Sequence, residues 1–324
     1  MSYTKSAVLP VTPDQAFALV TEPERLRRWQ TVSAVVDLRA GGSYKWTVTP
    51  GHVAGGTFRE VEAGRRIVFG WGWDGNEDLP YDASTVTVTV EPAEGGSLVT
   101  LVHEGLTEEQ AKSHAEGWDH YFERLERVAT TGDAGPDEWA YAPANLTPVV
   151  AAEAALAVLQ PILRNLTAED QPKPTPCADF SCHQLADHLM TSIAQLGAMA
   201  GGTVTNPEQG SLENKVSVMA GQAIDAWRKV DLGGTVPAAG GSAMPAAFAA
   251  SILPVELALH GWDLAQSSGQ TIHISAELVD YLRGLAEGLV PGGRGASFGD
   301  EVVPADGASA LDRLAAYAGR TALA

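Results

Sequence analysis

Two side chains that can bind a metal ion lie four residues apart in the stretch Leu253–Ala265. This apolar stretch predicts a buried helix, on which Glu256 and His260 project from one face, one turn apart. The best candidate for a third ligand is His188, on another predicted helix nearer the N-terminus. Two imidazoles and one carboxylate leave coordination positions open, as a catalytic metal ion requires. The sequence therefore predicts one divalent metal ion held by His188, Glu256 and His260.

The expected ion is zinc, because two imidazoles and a carboxylate suit it. Nickel, iron and manganese remain open, since nitrogen and oxygen donors select weakly between these metals. Asp263 is expected either to orient an imidazole by a hydrogen bond or to face solvent. A Glu–His pair at this spacing is by itself more often a simple side-chain interaction than a ligand set. The metal prediction therefore depends on His188 lying close to the pair.

The two cysteines, Cys177 and Cys182, do not form a CxxC motif and are too few for a disulfide framework. Cys177 lies among prolines before a predicted helix start, where a thiolate would be favoured. A buried structural thiol is the preferred interpretation, and a redox-active thiol is the alternative.

Composition limits the partners of this chain. A length of 324 residues favours two domains, and a formal net charge of -19 argues against nucleic acid and anionic membrane surfaces. No apolar run reaches the length of a membrane span, and the N-terminus lacks a basic, apolar leader. We therefore expect neither nucleic-acid nor membrane partners, and the two cysteines make a reducing, cytoplasmic location the default.

The first part of the chain combines period-two strands with a long helix. Alternation in Ser43–Thr49 and Ser84–Val90 predicts half-buried antiparallel strands. A capping box at Thr107 opens an amphipathic helix that runs to about residue 130. The glycine pairs expected to form turns between strands are at positions 41–42, 55–56 and 95–96. This order predicts an α+β helix-grip domain over residues 1–140, in which the long helix covers the sheet.

Five stretches in this domain resemble the START-like SRPBCC superfamily, in its branch related to Aha-type activators of a heat-shock chaperone ATPase. They are Glu22–Trp29, Gly41–Tyr44, Gly55–Val61, Val68–Trp71 and Gly117–Phe122. The resemblance implies an apolar ligand cavity between the sheet and the long helix. The implied lining comprises Trp46, Trp71, Trp73, Trp118 and Tyr121, with His103 and His114 as polar groups. For any one of these aromatic residues, plain core packing is the simpler interpretation.

The rest of the chain, residues 144–324, shows helical rather than strand periodicity. Turn formers without periodicity occupy residues 131–143 and predict a linker. Four main helices with apolar stripes follow, the last of them at about 245–266, where Pro254 predicts a kink or a late start. The prediction is an all-α four-helix bundle enclosing the metal site.

This second domain resembles the DinB-like, mycothiol-dependent maleylpyruvate isomerase family of actinobacteria. The resemblance is carried by Pro174–Phe180, His188, Glu256–Ala265 and Phe298–Asp300. It implies that His188, Glu256 and His260 bind a divalent metal ion, and that a low-molecular-weight thiol such as mycothiol is the cofactor. The implied function is that of a metal- and thiol-dependent S-transferase or cis-trans isomerase acting on a small organic substrate. If that substrate is apolar, the N-terminal cavity would hold it.

Two alternatives to the enzyme hypothesis remain. One is a non-catalytic small-molecule-binding or stress-response protein whose metal ion is structural. The other is co-chaperone activity, which rests only on a shared fold name, and a fold does not determine chemistry. An open coordination position next to an accessible pocket would favour the enzyme.

Overall fold

A seven-stranded antiparallel sheet is the centre of the first part of the chain, and helices make up most of the second. In the computed structural model, which describes residues 1–238 and 241–323, the chain divides into unit 1 (Met1–Pro136) and unit 2 (Asp137–Ala324). The sequence placed this division a few residues later, between 140 and 144.

Unit 1 has the helix-grip arrangement. Its strands are β1 (Ser2–Leu9), β2 (Ser33–Val36), β3 (Ser43–Thr49), β4 (His52–Glu62), β5 (Arg66–Trp73), β6 (Ser84–Ala93) and β7 (Gly96–Glu104). Its helices are α1 (Pro13–Thr21), α2 (Pro23–Leu26) and α3 (Glu108–Thr131). The sheet order is β1-β7-β6-β5-β4-β3-β2, all antiparallel. The long helix α3 packs against the sheet and shares one hydrophobic core with it.

Local sequence explains where α3 begins and ends. Thr107 and Gln110 form the predicted capping box, and Gly132 closes the helix with a φ of 85°. The buried face of α3 carries Trp118, Phe122 and Leu125. These residues pack against the buried side chains of the strands, which alternate with exposed ones along each strand. The buried face of the helix and the buried face of the sheet therefore form one hydrophobic core.

The turn predicted at Gly55–Gly56 is wrong, because strand β4 runs through both residues. A Cβ on Gly55 would lie 2.8 Å from the ring of Tyr81, and a Cβ on Gly70 would clash with Asp82. Glycine is therefore needed here so that the segment before β6 can lie directly on the strands. Asp82 is the one non-glycine residue with positive φ in the described part of the chain.

Unit 2 is built on helices α4 (Glu138–Tyr141), α5 (Pro148–Asn165), α6 (Cys182–Met199), α7 (Leu212–Trp227), α8 (Ala246–Ala250), α9 (Ile252–Ser268), α10 (Ala276–Gly293) and α11 (Ala310–Tyr317). Helix α5 packs against α7 and α9, and α6 packs against the same two helices. This arrangement is compatible with the predicted all-α domain. The described residues add one short hairpin that the sequence analysis did not predict, β8 (Thr235–Pro237) with β9 (Ala243–Pro245).

Helix α9 is the central element of unit 2. The helix predicted from about residue 245 is interrupted at Ser251, and α9 starts late, with Pro254 in its first turn. Proline is tolerated there because the first backbone N–H groups of a helix have no intrahelical acceptor. Most of α9 is buried on all sides, so the polar side chains that it carries are also in the interior. No described helix is both long enough and apolar enough to cross a membrane.

Candidate functional site

Helices α6 and α9 bring together the three residues that the sequence named as metal ligands. One donor atom from each of His188, Glu256 and His260 lies within 4.8 Å of the other two. The imidazoles of His188 and His260 meet edge to face, with ring centroids 5.3 Å apart. Helix geometry accounts for the Glu256–His260 spacing, whereas the approach of His188 comes from the packing of α6 on α9.

The orientation of His260 is set by Asp263. Nδ1 of His260 lies 3.0 Å from Oδ2 of Asp263, and both side chains are buried. A carboxylate only accepts hydrogen bonds, so Nδ1 carries the proton and Nε2 is the atom that faces Glu256. A histidine whose other nitrogen donates to a carboxylate is the usual arrangement for a metal ligand.

Asp263 is held in turn by an arginine from the end of the chain. Nε of Arg320 lies 3.2 Å and 3.1 Å from the two carboxylate oxygens of Asp263. Both residues are buried, so the pair is shielded from solvent. Arg320 could not be predicted as a site residue from the sequence, because nothing in the spacing of residues far apart in the chain indicates that they meet.

Glu256 contributes a buried oxygen that no described group engages in a hydrogen bond. That oxygen, Oε2, lies 3.3 Å from Nε2 of His260, in the geometry of an ion pair rather than a well-formed hydrogen bond. Burial alone would raise the pKa of Glu256, but the contact with His260 and the positive charge around it outweigh burial and lower that pKa. The carboxylate is therefore ionised and has capacity for a further positive partner.

The two histidines differ in protonation. Burial tends to lower the pKa of His260, yet the carboxylates of Asp263 and Glu256 dominate and raise it to about 9. Burial lowers the pKa of His188, and repulsion from His260 lowers it further. His260 is therefore cationic at neutral pH, and a metal ion binding at Nε2 would have to displace the proton there.

The ring of Phe180 stacks on the imidazole of His188. The two rings stack with centroids 4.8 Å apart and planes 21° from parallel. Phe180 belongs to the segment before α6 that supplied part of the family resemblance. Stacking restricts the rotation of a half-buried imidazole, which keeps its nitrogens available in one orientation.

Cys177 also lies close to His260. Donor atoms of Cys177, His260 and Asp263 also lie within 4.8 Å of one another. This group suits a metal ion less well, because Nδ1 of His260 and both oxygens of Asp263 already have hydrogen-bond partners. Burial and the charge of Asp263 raise the pKa of the Cys177 thiol to about 11, so the thiol is neutral at ordinary pH.

Unit 1 contains a separate cluster in which the buried His103 is fully hydrogen-bonded. Nε1 of Trp118 donates to Nδ1 of His103 over 3.1 Å. The proton of His103 is therefore on Nε2, which lies 2.9 Å from Oγ of Ser84. Ser84 then donates to the carbonyl oxygen of Trp71 at 3.1 Å.

His114 on α3 completes this cluster as the opposite tautomer. Its Nδ1 lies 2.7 Å from the carbonyl oxygen of Gln110 and must donate, because a carbonyl only accepts. Its Nε2 accepts from the indole nitrogens of Trp71 and Trp73, at 3.2 Å and 3.3 Å. Three indole N–H groups thus depend on two neutral imidazoles.

Both histidines of the cluster resist protonation. Burial lowers the pKa of His103 to about 3, and the nearby His114 adds to this effect. Burial also lowers the pKa of His114, although its bond to the carbonyl of Gln110 acts in the opposite direction. At neutral pH each imidazole is therefore an uncharged acceptor.

A small cavity lies in the core of unit 1. The volume open to the centre of a water molecule is about 20 Å³, so the cavity has room for about one water. The wall is apolar apart from Trp29, Gln30, Trp46 and Trp118, and it includes no charged side chain. Trp46 is fully buried and its indole nitrogen has no described hydrogen-bond partner, a condition that costs about 1–3 kcal/mol.

The cavity wall contains two of the seven residues that the resemblance implied. These are Trp46 and Trp118. The other five lie outside the wall. Four of them belong to the hydrogen-bonded cluster, namely Trp71, Trp73, His103 and His114. The fifth, Tyr121, is a buried residue of α3. Sequence patterns identify such aromatic residues as interior, but they do not distinguish a cavity wall from filled core.

Residues 10–130 match the family model described as Activator of Hsp90 ATPase homolog 1-like protein. Unit 1 therefore carries a START-like domain of this AHSA1 type, and the family supports a small-molecule-binding role for it. Among solved structures, the AHSA1-like protein from Rhizobium etli is 38% identical, with 45% of this chain and 92% of that chain covered and a TM-score of 0.38. CalU16 from Micromonospora echinospora is 24% identical, with 40% and 77% covered and a TM-score of 0.34.

The chain is also similar to an uncharacterized protein of Mycobacterium tuberculosis strain H37Rv. The two are 24% identical over 190 residues, which cover 54% of this chain and 99% of the relative. The aligned part is 54% of the 324-residue chain, which is longer than the 136 residues of unit 1. The similarity therefore extends into unit 2.

Proposed function

We propose that this protein acts on a small organic molecule, which unit 1 binds, and that unit 2 holds one divalent metal ion for that chemistry. The ligands are His188, Glu256 and His260, with zinc the best-suited ion and nickel, iron or manganese as alternatives. The observation that carries the metal proposal is the buried Oε2 of Glu256, which has no described hydrogen bond and lies beside two imidazoles. The donor set fits a divalent cation, because each of the three residues contributes one atom at mutually close range.

A bound divalent ion would supply Lewis acidity, lowering the pKa of a thiol or polarising a carbonyl group. The residues of the chain prepare this chemistry. Asp263 keeps the proton of His260 on Nδ1, and Arg320 holds Asp263 in place. Phe180 restrains His188 by stacking. Because three side chains act as ligands, positions remain open for a substrate or a cofactor.

The cofactor in this proposal is a low-molecular-weight thiol of the mycothiol type, and the reaction is S-transfer or cis-trans isomerisation. The resemblance of unit 2 to the DinB-like, mycothiol-dependent isomerase family suggests both. The nearest cysteine, Cys177, has a pKa raised to about 11 and is therefore a poor nucleophile at neutral pH. An external thiol is thus the better source of a thiolate.

The test is metal content and affinity in the full-length protein. The wild type, purified without chelator and supplied with zinc, should hold about one equivalent, measured by elemental analysis after gel filtration. His188→Ala and Glu256→Gln should each reduce the retained zinc to a trace. His183→Ala is the matched control on the same helix, because His183 is exposed and pairs only with Asp187 among the contacts described. Absence of stoichiometric zinc, nickel, iron or manganese in the wild type would overturn the metal proposal.

A non-catalytic function is the second candidate, favoured by the AHSA1-type domain, whose supported role is ligand binding. In that case the metal ion would be structural. Cobalt substitution separates the two candidates, because the visible spectrum of Co²⁺ reports its coordination sphere. A spectral change on adding a thiol indicates an open position and favours the enzyme. An unchanged spectrum indicates a closed, structural site.

A further inference from the structure

A second group of metal-binding side chains shares His260 with the metal site proposed above, which is called the first site here. It consists of Cys177, His260 and Asp263, and one donor atom of each lies within 4.8 Å of the other two. Donor atoms around a tetrahedral ion lie about 3.3–3.8 Å apart, given bond lengths of about 2.0–2.3 Å. Shifts of no more than about 1 Å would therefore bring this group to the spacing that a bound ion requires.

Hydrogen bonds within a short turn hold Cys177 in this place. Its carbonyl oxygen accepts from the backbone N–H of Phe180 at 2.9 Å and from Oγ1 of Thr175 at 2.9 Å. Cys177 is half-buried, whereas His260 and Asp263 are buried. The thiol is thus accessible to an ion from one side and lies against two buried donors on the other.

The two carboxylate oxygens of Asp263 can serve different partners. Oδ2 lies 3.0 Å from Nδ1 of His260, and Oδ1 lies 3.2 Å from Nε of Arg320. An ion that replaces the proton between Nδ1 and Oδ2 leaves the contact of Oδ1 with Arg320 in place. Binding an ion here therefore does not require the buried ion pair to break.

We propose that Cys177, His260 and Asp263 bind a thiophilic divalent cation, such as cadmium, through Sγ, Nδ1 and Oδ2. This group is called the cysteine site. Thiolate ligands select soft ions of this class. The ion replaces the thiol proton of Cys177 and the Nδ1 proton of His260, and both protons leave to solvent. Because one divalent cation replaces two protons, the net charge of the buried group does not rise. An ion with less affinity for sulfur gains less from this exchange.

An ion in the cysteine site excludes a metal ion from the first site. With Nδ1 bound to the ion, the one proton of the neutral imidazole is on Nε2. Nε2 is the nitrogen that faces Glu256, so His260 can no longer be a ligand beside His188 and Glu256. A thiophilic cation is therefore an antagonist of the first site. This consequence rests on the metal proposal above, whereas the cysteine site itself needs neither His188 nor Glu256.

The experiment is a cadmium titration of the full-length protein, followed by the ultraviolet charge-transfer band of a cadmium–thiolate bond. The wild type should develop this band to a stoichiometric end point, and Cys177→Ser should not develop it. Cys182→Ser is the matched control and should keep the band, because Cys182 is the other cysteine of the chain and is only 2% exposed. Glu256→Gln should also keep it, since Glu256 belongs to the first site alone. Bound cadmium should protect Cys177 of the wild type from iodoacetamide, which tests the assignment without any variant.

Absence of the band in the wild type, or its persistence in Cys177→Ser, overturns the proposal. Loss of the band in Glu256→Gln would make Cys177 a further ligand of the first site and likewise overturns a separate cysteine site. In wild type preloaded with zinc, the retained zinc should fall to a trace as the band reaches its end point. Zinc retained beside the full band overturns the exclusion. If the wild type never retains zinc, the first site fails, and the cadmium band still decides the cysteine site.

Discussion

Arg320 and Asp263 form a buried ion pair in which Nε of the arginine contacts both carboxylate oxygens, at 3.2 Å and 3.1 Å. Because Asp263 also accepts from His260, the end of the chain after α11 is connected to the candidate metal centre through one carboxylate. Metal binding at His260, as proposed above, would therefore be linked to the folding of unit 2 through Asp263 and Arg320.

Removing the arginine should therefore affect stability and metal binding together. Arg320→Gln removes one of the two cationic partners of the buried Asp263 and leaves only His260, which should cost about 1.5–3 kcal/mol. Urea unfolding of the metal-free protein should show this loss for unit 2. Arg313→Gln is the matched control on α11, because Arg313 is exposed, and it should change stability by less than about 0.5 kcal/mol. Equal effects of the two substitutions would contradict a structural role for the pair.

Asp263→Asn should weaken metal binding without removing a ligand. The amide preserves the shape of the side chain but no longer offers a carboxylate to Nδ1 of His260, so the tautomer with a free Nε2 loses its support. Zinc affinity, measured by competition with a chromophoric chelator, should fall about 10- to 100-fold. The ¹⁵N shifts of the His260 ring report the tautomer directly. Unchanged affinity and ring shifts would show that Asp263 does not position this histidine.

The stability of unit 1 should decrease as the pH falls from neutral. The pKa of His103 is about 3 in the folded state and 6.5 ordinarily, so between these values the unfolded state binds a proton that the folded state does not. Its stabilising contribution is present above about pH 6.5 and is lost on acidification, at about 1.4 kcal/mol per pH unit. His114, whose pKa is also lowered, acts with the same sign.

The measurement for this pH effect is the urea midpoint of unit 1 between pH 7 and pH 4. His103→Gln should flatten the pH dependence relative to the wild type, because the titrating group is gone. His52→Gln on the exposed end of β4 serves as the control and should leave the slope unchanged. A wild-type slope as shallow as that of His103→Gln would refute the buried, neutral assignment.

Two glycine-to-alanine substitutions in unit 1 should have opposite effects. In β5, a Cβ at Gly70 clashes with Asp82, and Gly70→Ala should cost about 1–3 kcal/mol. In α3, a Cβ at Gly117 meets nothing within 4 Å, so Gly117→Ala should stabilise by about 0.5–1 kcal/mol through helix propensity. Thermal midpoints of both variants provide the check. A neutral Gly70→Ala would mean that the segment at Asp82 moves freely.

The two units should fold separately. Unit 1 has a hydrophobic core built entirely from its own residues, and α5, α6, α7 and α9 of unit 2 pack on one another. Fragments 1–136 and 137–324 should each unfold cooperatively in urea, followed by circular dichroism. Non-cooperative unfolding of either fragment would place the boundary elsewhere or show that the units depend on each other.

Much of the local structure could be predicted because it depends on neighbours in sequence. The capping box at Thr107 and the late start of α9 both follow from residue types over one or two turns. The Gly55–Gly56 turn could not be predicted correctly, because glycine serves equally for a turn and for a close approach of another segment. Only the position of Tyr81 distinguishes these uses.

The sequence by itself determined that Glu256 and His260 share a helix face, since a rise of 1.5 Å per residue leaves residues four apart no other arrangement. The tertiary structure decided that His188 reaches the same point and that Arg320 supports Asp263. Each of these relationships joins residues far apart in the chain. Their distances depend on how whole elements pack, and the periodicity of a single element carries no information about the side chains of its neighbours.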